Sequence, residues 1–178
     1  MKPTGKFGLY GDYLRYGRSL TDPGLWALAV RRYGNWAADL PAPPLRWFGL
    51  KVYGGALLVL QATTGNLIHR ELSFGDEVDL IGSRNVIIHP DVVIGDRCRI
   101  SSGVSIGTNE RFKRGLAKIG NDVIIEAGVK ILGPVTIGDR AIIRANSLVL
   151  TDVPADSIAI GVPAKCTRPA VEPREISP

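Results

Sequence analysis

Two imidazoles, His69 and His89, are the only histidines in this chain of 178 residues. His89 lies in Ile88-His89-Pro90-Asp91, where a carboxylate close by in sequence can orient the ring. An imidazole held by a carboxylate can act as a general base, the group that takes a proton from an attacking hydroxyl or amine. His89 is therefore the candidate base, with Asp91 or Asp79 as its orienting partner. A catalytic zinc site uses three protein ligands, and two histidines twenty residues apart do not supply three imidazoles. Cys98 and Cys166 have no Cys-x-x-Cys spacing and form no disulfide framework. No metal is expected, and a reducing compartment is. The sequence holds neither Gly-x4-Gly-Lys nor Gly-x-Gly-x-x-Gly, so nucleotide hydrolysis and dinucleotide binding have no support.

The elements that must position these groups announce themselves by a period. Aliphatic residues recur every six positions at Ile88, Ile94, Ile100 and Ile106, and again at Ile119, Ile125, Ile131, Ile137, Ile143 and Val149. Ile68, Phe74 and Leu80 form an earlier stretch in the same step. Six is neither the helical period nor simple strand alternation. It fits a solenoid in which a short strand and a tight turn make one side of a triangular coil, three hexads closing a turn of about 18 residues. The expected fold class is mainly β: a left-handed parallel β-helix with successive coils roughly 4.8 Å apart. Gly, Asn and Asp follow many of the aliphatics, as in Ile94-Gly95-Asp96 and Ile137-Gly138-Asp139, where a left-handed backbone costs little.

Two breaks interrupt the period. The step from Leu80 to Ile88 is eight residues, a bulge around Gly82-Ser83-Arg84-Asn85, and the step from Ile106 to Ile119 is thirteen. Phe112 stands where a continuing coil needs an aliphatic, between Arg111 and Lys113. Residues 107–118 read as a loop thrown out from one corner, carrying Arg111, Lys113, Arg114 and Lys118. Loops that leave a rigid scaffold tend to carry function.

The first third has another character. Residues 1–64 hold eight Lys and Arg against three Asp, which accounts for the whole formal net charge of +5, and they hold every Trp and Tyr. Asp22-Pro23 reads as an N-cap followed by proline at the first helical position. Leu25, Trp26, Ala29, Val30, Tyr33, Trp36, Ala37 and Leu40 follow as the apolar stripe of a helix ended by Pro41. A second helix is expected from Pro44 to about Ala62, with Leu45, Phe48, Val52, Ala56 and Val59 inward, and a shorter one around Phe7–Arg18. The chain then divides into a basic, aromatic helical cap (1–64), a β-helix (65–168) and a tail (169–178). Such a cap is a packed lid with a solvated face, or a surface that rests on an anionic membrane or holds an acidic substrate. The start lacks a secretory signal, and the run Gly54–Leu60 is about half the roughly 20 residues of a membrane span. A cytoplasmic protein is expected, at most peripheral to a membrane. Nucleic acid is not an expected partner, because the β-helix is net neutral.

The stretch IGNDVIIEAGVKILGPVTIGDRAIIRANSLVLTDVP, followed by GVPAK (Ile119 to Lys165), closely resembles the hexapeptide-repeat acyltransferases, in particular the serine acetyltransferase branch and its relatives in polysaccharide biosynthesis. The resemblance reaches back to Ile68-His69 and, more weakly, to PGLWALAVRRYGNW. It implies homotrimers that bind acetyl-CoA in clefts between neighbouring β-helices. It further implies backbone contacts to the pantetheine from Ala127, Gly128 and Ala145, and contacts to the nucleotide phosphates from Lys165, with Arg114 of the basic loop as a further cofactor contact. The family's base is a histidine in the bulge and its second active-site histidine lies in the extended loop. Those positions are Gly82 and about Leu116 here, and His69 matches a structural histidine. Three functions are weighed: O-acetylation of a surface polysaccharide or its precursor as the main reading, serine O-acetyltransferase as its alternative, and a catalytically silent scaffold or regulator.

Overall fold

A chain with a six-residue period must turn a corner every hexad, and the backbone does so. In a computed structural model of the protein, residues 21–80, 82–108 and 115–167 are described. Three sheets run along the coil. Sheet one stacks β1 (Leu67–Ile68), β3 (Ile87–Ile88), β6 (Ser105–Gly107), β9 (Lys130–Leu132) and β12 (Leu148–Val149). Sheet two stacks β2 (Ser73–Phe74), β4 (Val93–Ile94), β7 (Lys118–Ile119) and β10 (Thr136–Ile137). Sheet three stacks β5 (Arg99–Ile100), β8 (Ile124–Ile125), β11 (Ile142–Ile143) and β13 (Ile158–Gly161), and ends on β14 (Ala164–Thr167). The ladders are parallel, except that β13 and β14 form an antiparallel hairpin. Three corners result: the first from sheet one to two, the second from two to three, the third from three back to one.

Register is what the period encodes. Ile88 pairs with Ile106, Ile106 with Ile131, and Val149 with Ile131, so like sits on like up the coil. The aliphatics from Ile88 to Val149 that set the six-residue step are at most 4% exposed. A second inward series, which the period alone did not reveal, lies two residues earlier at Val86, Val92, Cys98, Val104, Val123, Val129 and Val135. Residues i and i−2 share a face in extended backbone, so each hexad sends two side chains inward and exposes the one between, as Ile87 and Val93 are exposed. Cys98 is thereby a core residue: its Sγ sits 3.1 Å from the Gly120 carbonyl, and burial pushes its thiol up to about 11.

Helices α1 (Pro23–Ala38) and α2 (Pro43–Thr64) precede the coil. The Asp22 carboxylate accepts the Gly24 N–H at 2.8 Å, as the N-cap reading expects. Leu25 and Leu28 from α1 and Leu60 from α2 join the core that contains Leu72, Val78 and Leu80, closing the open end of the first coil. A lid of this kind spares the terminal coil an unpaired edge. Gly24 is obligatory in it, since a Cβ there would fall 2.1 Å from the Leu80 carbonyl oxygen. Arg31 donates to the Leu72 carbonyl at 2.8 Å and lies over the Phe74 ring, and the Arg70 N–H donates to the Tyr53 hydroxyl at 3.2 Å.

The faces of both helices differ from the sequence expectation. In α1 the buried positions are Gly24, Leu25, Ala27, Leu28, Gly34 and Ala37, while Trp26 and Trp36 are more than half exposed. In α2 Gly49, Tyr53 and Leu60 are buried, and the expected inward residues Leu45, Phe48, Val52 and Val59 are exposed. The reason is close helix contact. A Cβ on Gly49 would lie 3.0 Å from the Ala37 Cβ, and one on Gly34 would lie 2.6 Å from the Tyr53 ring. Small residues bring the axes together and turn the large apolar ones outward. The loop is also shorter than its 107–118 reading, because Gly107 still pairs with Leu132 and Lys118 pairs with Val93. The expected helix around Phe7–Arg18 and the tail 169–178 lie outside the described residues. No described helix is long and apolar enough to cross a membrane.

The thiol of Cys98 generates a test. A group whose folded pKa is raised holds its proton longer in the folded state, so its contribution to stability falls as pH rises from the ordinary thiol value of 9.0 toward about 11. Cys98→Val, which installs the residue found at the same place in neighbouring coils, is expected to flatten this alkaline decline in urea denaturation between pH 8 and 10.5. Parallel declines in variant and parent would contradict the assignment.

Candidate functional site

The third corner is built from small residues and left-handed turns. Gly103, Gly128 and Asn146 stack there with φ of 73°, 73° and 58°. The Gly128 N–H donates to the Ser102 carbonyl and the Asn146 N–H to the Ala127 carbonyl, both at 2.9 Å, so the column is hydrogen-bonded coil to coil. Ala127 and Ala145 are exposed beside it. Alanine at a corner leaves the backbone beside it open to close approach by an extended ligand, whereas the space over Gly128 is taken by Asn146 Oδ1. The Ala127 N–H has no acceptor among the described residues. The Ala145 N–H is taken: it donates to Glu126 Oε2 at 2.8 Å, and Glu126 Oε1 in turn receives Arg144 Nη1 at 2.9 Å. Glu126 was not singled out by sequence, because nothing in the hexad pattern distinguishes a carboxylate that folds back onto the next coil.

Lys165 extends from the hairpin that follows this column. It is exposed on β14, paired with Ile160, and the Gly161 N–H donates to Ser147 Oγ at 3.2 Å, fastening the hairpin to the residue after Asn146. The chain therefore gathers Ala127, Gly128, Ala145 and the hairpin of Lys165 along one edge. An exposed ammonium at the end of a small-residue column suits a phosphorylated ligand whose chain lies along that column. Arg114 and Phe112 fall outside the described residues.

His89 stands elsewhere. It opens the first corner of its coil, directly after β3, whereas the small-residue column meets sheet one at the start of its strands. One chain thus separates His89 from Ala127 and Gly128 by the width of sheet one. The half-buried His89 ring accepts the Asp91 N–H on Nδ1 at 3.3 Å, and the Asp91 carboxylate lies 3.8 Å from the same nitrogen. With Nδ1 an acceptor, the neutral ring carries its proton on Nε2. Turning Nδ1–H onto the carboxylate would reverse the tautomer and present Nε2 as a base. Asp79, the other suggested partner, bridges to Arg99 on sheet three, with its carboxylate 3.7 Å from Arg99 Nε. It is not placed to orient His89. In the column of first corners, Gly107 follows His89 one coil on and leaves open space around itself.

The two positions where the resemblance expects histidine do structural work instead. Gly82 takes φ of 64° and donates its N–H to Asp22 at 2.9 Å, so the cap helix grips the bulge. The rest of the bulge is fixed from inside: Ser83 Oγ donates to the Ile100 carbonyl and Asn66 accepts the Val86 N–H, both residues fully buried. Leu116 packs against the core. No cluster of three metal-ligating side chains occurs among the described residues.

Comparison with known proteins places this geometry. Residues 117–151 match the model described as bacterial transferase hexapeptide (six repeats). The chain is 31% identical over 146 residues to a serine acetyltransferase of Synechococcus elongatus, covering 80% of this chain and 56% of the relative. It is 37% identical over 103 residues to a serine acetyltransferase of Helicobacter pylori, covering 57% and 60%. Among solved structures, a serine acetyltransferase in complex with CoA superposes with a TM-score of 0.69 at 25% identity, covering 83% of this chain and 58% of that one. The serine acetyltransferase of Neisseria gonorrhoeae superposes with a TM-score of 0.72 at 26% identity, covering 92% and 63%. The chain therefore spans somewhat more than half the length of these relatives. Their names favour the serine acetyltransferase alternative over the saccharide reading.

The left-handed column makes its own prediction. Gly128→Ala is expected to cost more than the about 1–2 kcal/mol of a left-handed backbone for a residue with Cβ, because that Cβ would also fall against Asn146 Oδ1. Gly128→Asn, the residue found at Asn85 and Asn146 with φ of 55° and 58°, carries the same Cβ and is expected to lose less than Gly128→Ala in urea denaturation only by the easier left-handed backbone of asparagine. The reverse order would show that backbone conformation does not select this residue.

Proposed function

We propose that this chain, which carries the hexapeptide repeat of bacterial transferases, is an acetyl-CoA-dependent acetyltransferase of the serine acetyltransferase type. The coil is read as left-handed, in keeping with its repeats and structural neighbours. The observation that carries the reading is the small-residue column at the third corner, in register with the hairpin that bears Lys165. The acyl donor lies along Ala127 and Gly128, beside Ala145, with the Ala127 N–H toward the pantetheine and Lys165 toward the phosphates. Because Glu126 occupies the Ala145 N–H, that residue contributes its small size and not a hydrogen bond.

The acceptor is a small hydroxylated amino acid, serine first, and the oligomer is a homotrimer. In a ring of three triangular coils, the first corner of one copy faces the third corner of the next, which unites His89 with a donor column that its own chain holds apart. His89 takes the proton of the acceptor hydroxyl on Nε2 while Asp91 receives Nδ1–H, and the acceptor oxygen attacks the thioester carbonyl. The proton then passes to the departing thiolate. Saccharide acetylation remains the weaker reading and rests on the basic aromatic cap alone.

CoA release from acetyl-CoA with serine as acceptor, together with calorimetric titration of CoA, tests this. Wild type is expected to bind CoA and turn over serine. His89→Ala is expected to lose about 10² to 10⁴ in kcat, the range for removal of a general base, with CoA affinity unchanged. Absence of CoA binding would contradict the enzymatic reading; full activity in His89→Ala would remove His89 as the base; binding without turnover on any hydroxyl acceptor would favour a silent scaffold.

A further inference from the structure

Helix α2 turns its apolar side away from the protein. Gly49, Tyr53 and Leu60 mark its inward line. At helical spacing of 100° per residue, Trp47 and Leu58 fall on one line of the opposite side and Phe48, Val52 and Val59 on the adjacent line. These five are between 43% and 67% exposed. Gly54 and Gly55 lie between them with nothing within 4 Å of a notional Cβ, and the result is an open depression of about 530 Å³ lined by Trp47, Leu50, Lys51, Gly54, Gly55 and Leu58. A soluble monomer rarely displays so continuous an apolar surface without a partner.

Charge identifies the partner. Between residues 43 and 64 the chain has Arg46 and Lys51 and no Asp or Glu. Lys51 lies in the middle of the apolar face, with its Nζ 5.7 Å from the Trp47 ring centroid. A second copy of this face, paired about the glycine depression, would set Lys51 against Lys51 and gain no opposing carboxylate. An anionic bilayer offers both halves of the match: hydrocarbon for the apolar side chains and phosphate for the cations. Tryptophan beside lysine is also the composition of a membrane–water boundary. The helix is about 33 Å long and bears charge at its centre, so it suits lying in the interface plane and not crossing it.

We propose that the outward face of α2 docks on an anionic phospholipid surface, with Trp47, Phe48, Val52, Leu58 and Val59 in the acyl boundary and Lys51 at the headgroups, Arg46 lying toward the inward side of the helix. This goes beyond the enzymatic reading and does not depend on it. The occupied face holds the whole coil at the membrane, its axis set by the cap that seals the first turn.

Flotation of the full chain with liposomes tests the docking. Vesicles of phosphatidylcholine with 30% phosphatidylglycerol are expected to carry the protein at 50 mM salt, and pure phosphatidylcholine vesicles are expected to carry markedly less. Lys51→Ala is expected to weaken anionic binding about fivefold, and Trp47→Ser with Leu58→Ser to abolish it. All three positions face solvent, so these variants should keep the parental melting temperature, and an unchanged far-ultraviolet circular dichroism spectrum offers a second check of folding. Failure of wild type to float with anionic vesicles overturns the proposal. So does a wild-type oligomer that Trp47→Ser and Leu58→Ser reduce in size, since the face would then belong to a second copy.

Discussion

Coil-to-coil hydrogen bonding in register is the constraint from which the rest of this structure follows. A two-residue strand makes too few bonds to exist alone, yet each is held between the strand below and the strand above, as β4 is held by β2 and β7. Parallel stacking puts identical positions of successive coils over one another. That arrangement is stable only if an inward position accepts the same kind of side chain in every coil, which is why isoleucine recurs. It also makes the corners into columns. Whatever residue type a corner takes in one coil is repeated, or answered, in the next.

The three columns answer in different ways, and their chemistry separates accordingly. The second corner places Arg97 over Asp122 and Arg140 over Asp156, all four with positive φ, so that alternating charges bridge the coils where glycine or asparagine would be the cheaper residue. These are exposed pairs and add little stability singly. The same corner also carries an inner ladder, in which Asp139 accepts the Asn121 N–H and Asn121 the Asp96 N–H. The third corner is small and smooth, fit for a ligand to lie along it. The first corner carries His89 and the loop. Division of labour among corners keeps the small-residue column and the imidazole apart in one chain, and the proposed completion of the site by a neighbouring copy follows from that separation.

Most of the coil was legible in the sequence because its period is enforced by stacking, and the ten aliphatics from Ile88 to Val149 are buried as read. The nested inward series at Val86, Val92 and Cys98 was missed, since a two-residue alternation inside a six-residue repeat looks like an ordinary strand. Helix α2 of the cap was read inside out, while in α1 Leu25 and Ala37 are buried as read. An apolar stripe predicts a buried face when packing follows hydrophobicity, but Gly34, Ala37 and Gly49 draw α1 and α2 together and send Phe48, Val52 and Val59 outward. At the site, the small residues recur visibly midway through the hexads, at Gly103, Ala127, Gly128, Ala145 and Asn146, but a cofactor role for them could be picked out only by resemblance. Glu126 on the Ala145 amide and Asp22 on the Gly82 amide were invisible, because both are contacts between residues distant in sequence.

A crystal structure of the full chain with CoA bound is the most direct test of the central claim that the third corner is the donor site. The account predicts a pantetheine arm extended along Ala127, Gly128 and Ala145 with the phosphates toward Lys165, in a cleft completed by the His89 corner of another copy. A CoA molecule lying instead along the second corner, or bound within a single chain far from the small-residue column, would contradict it.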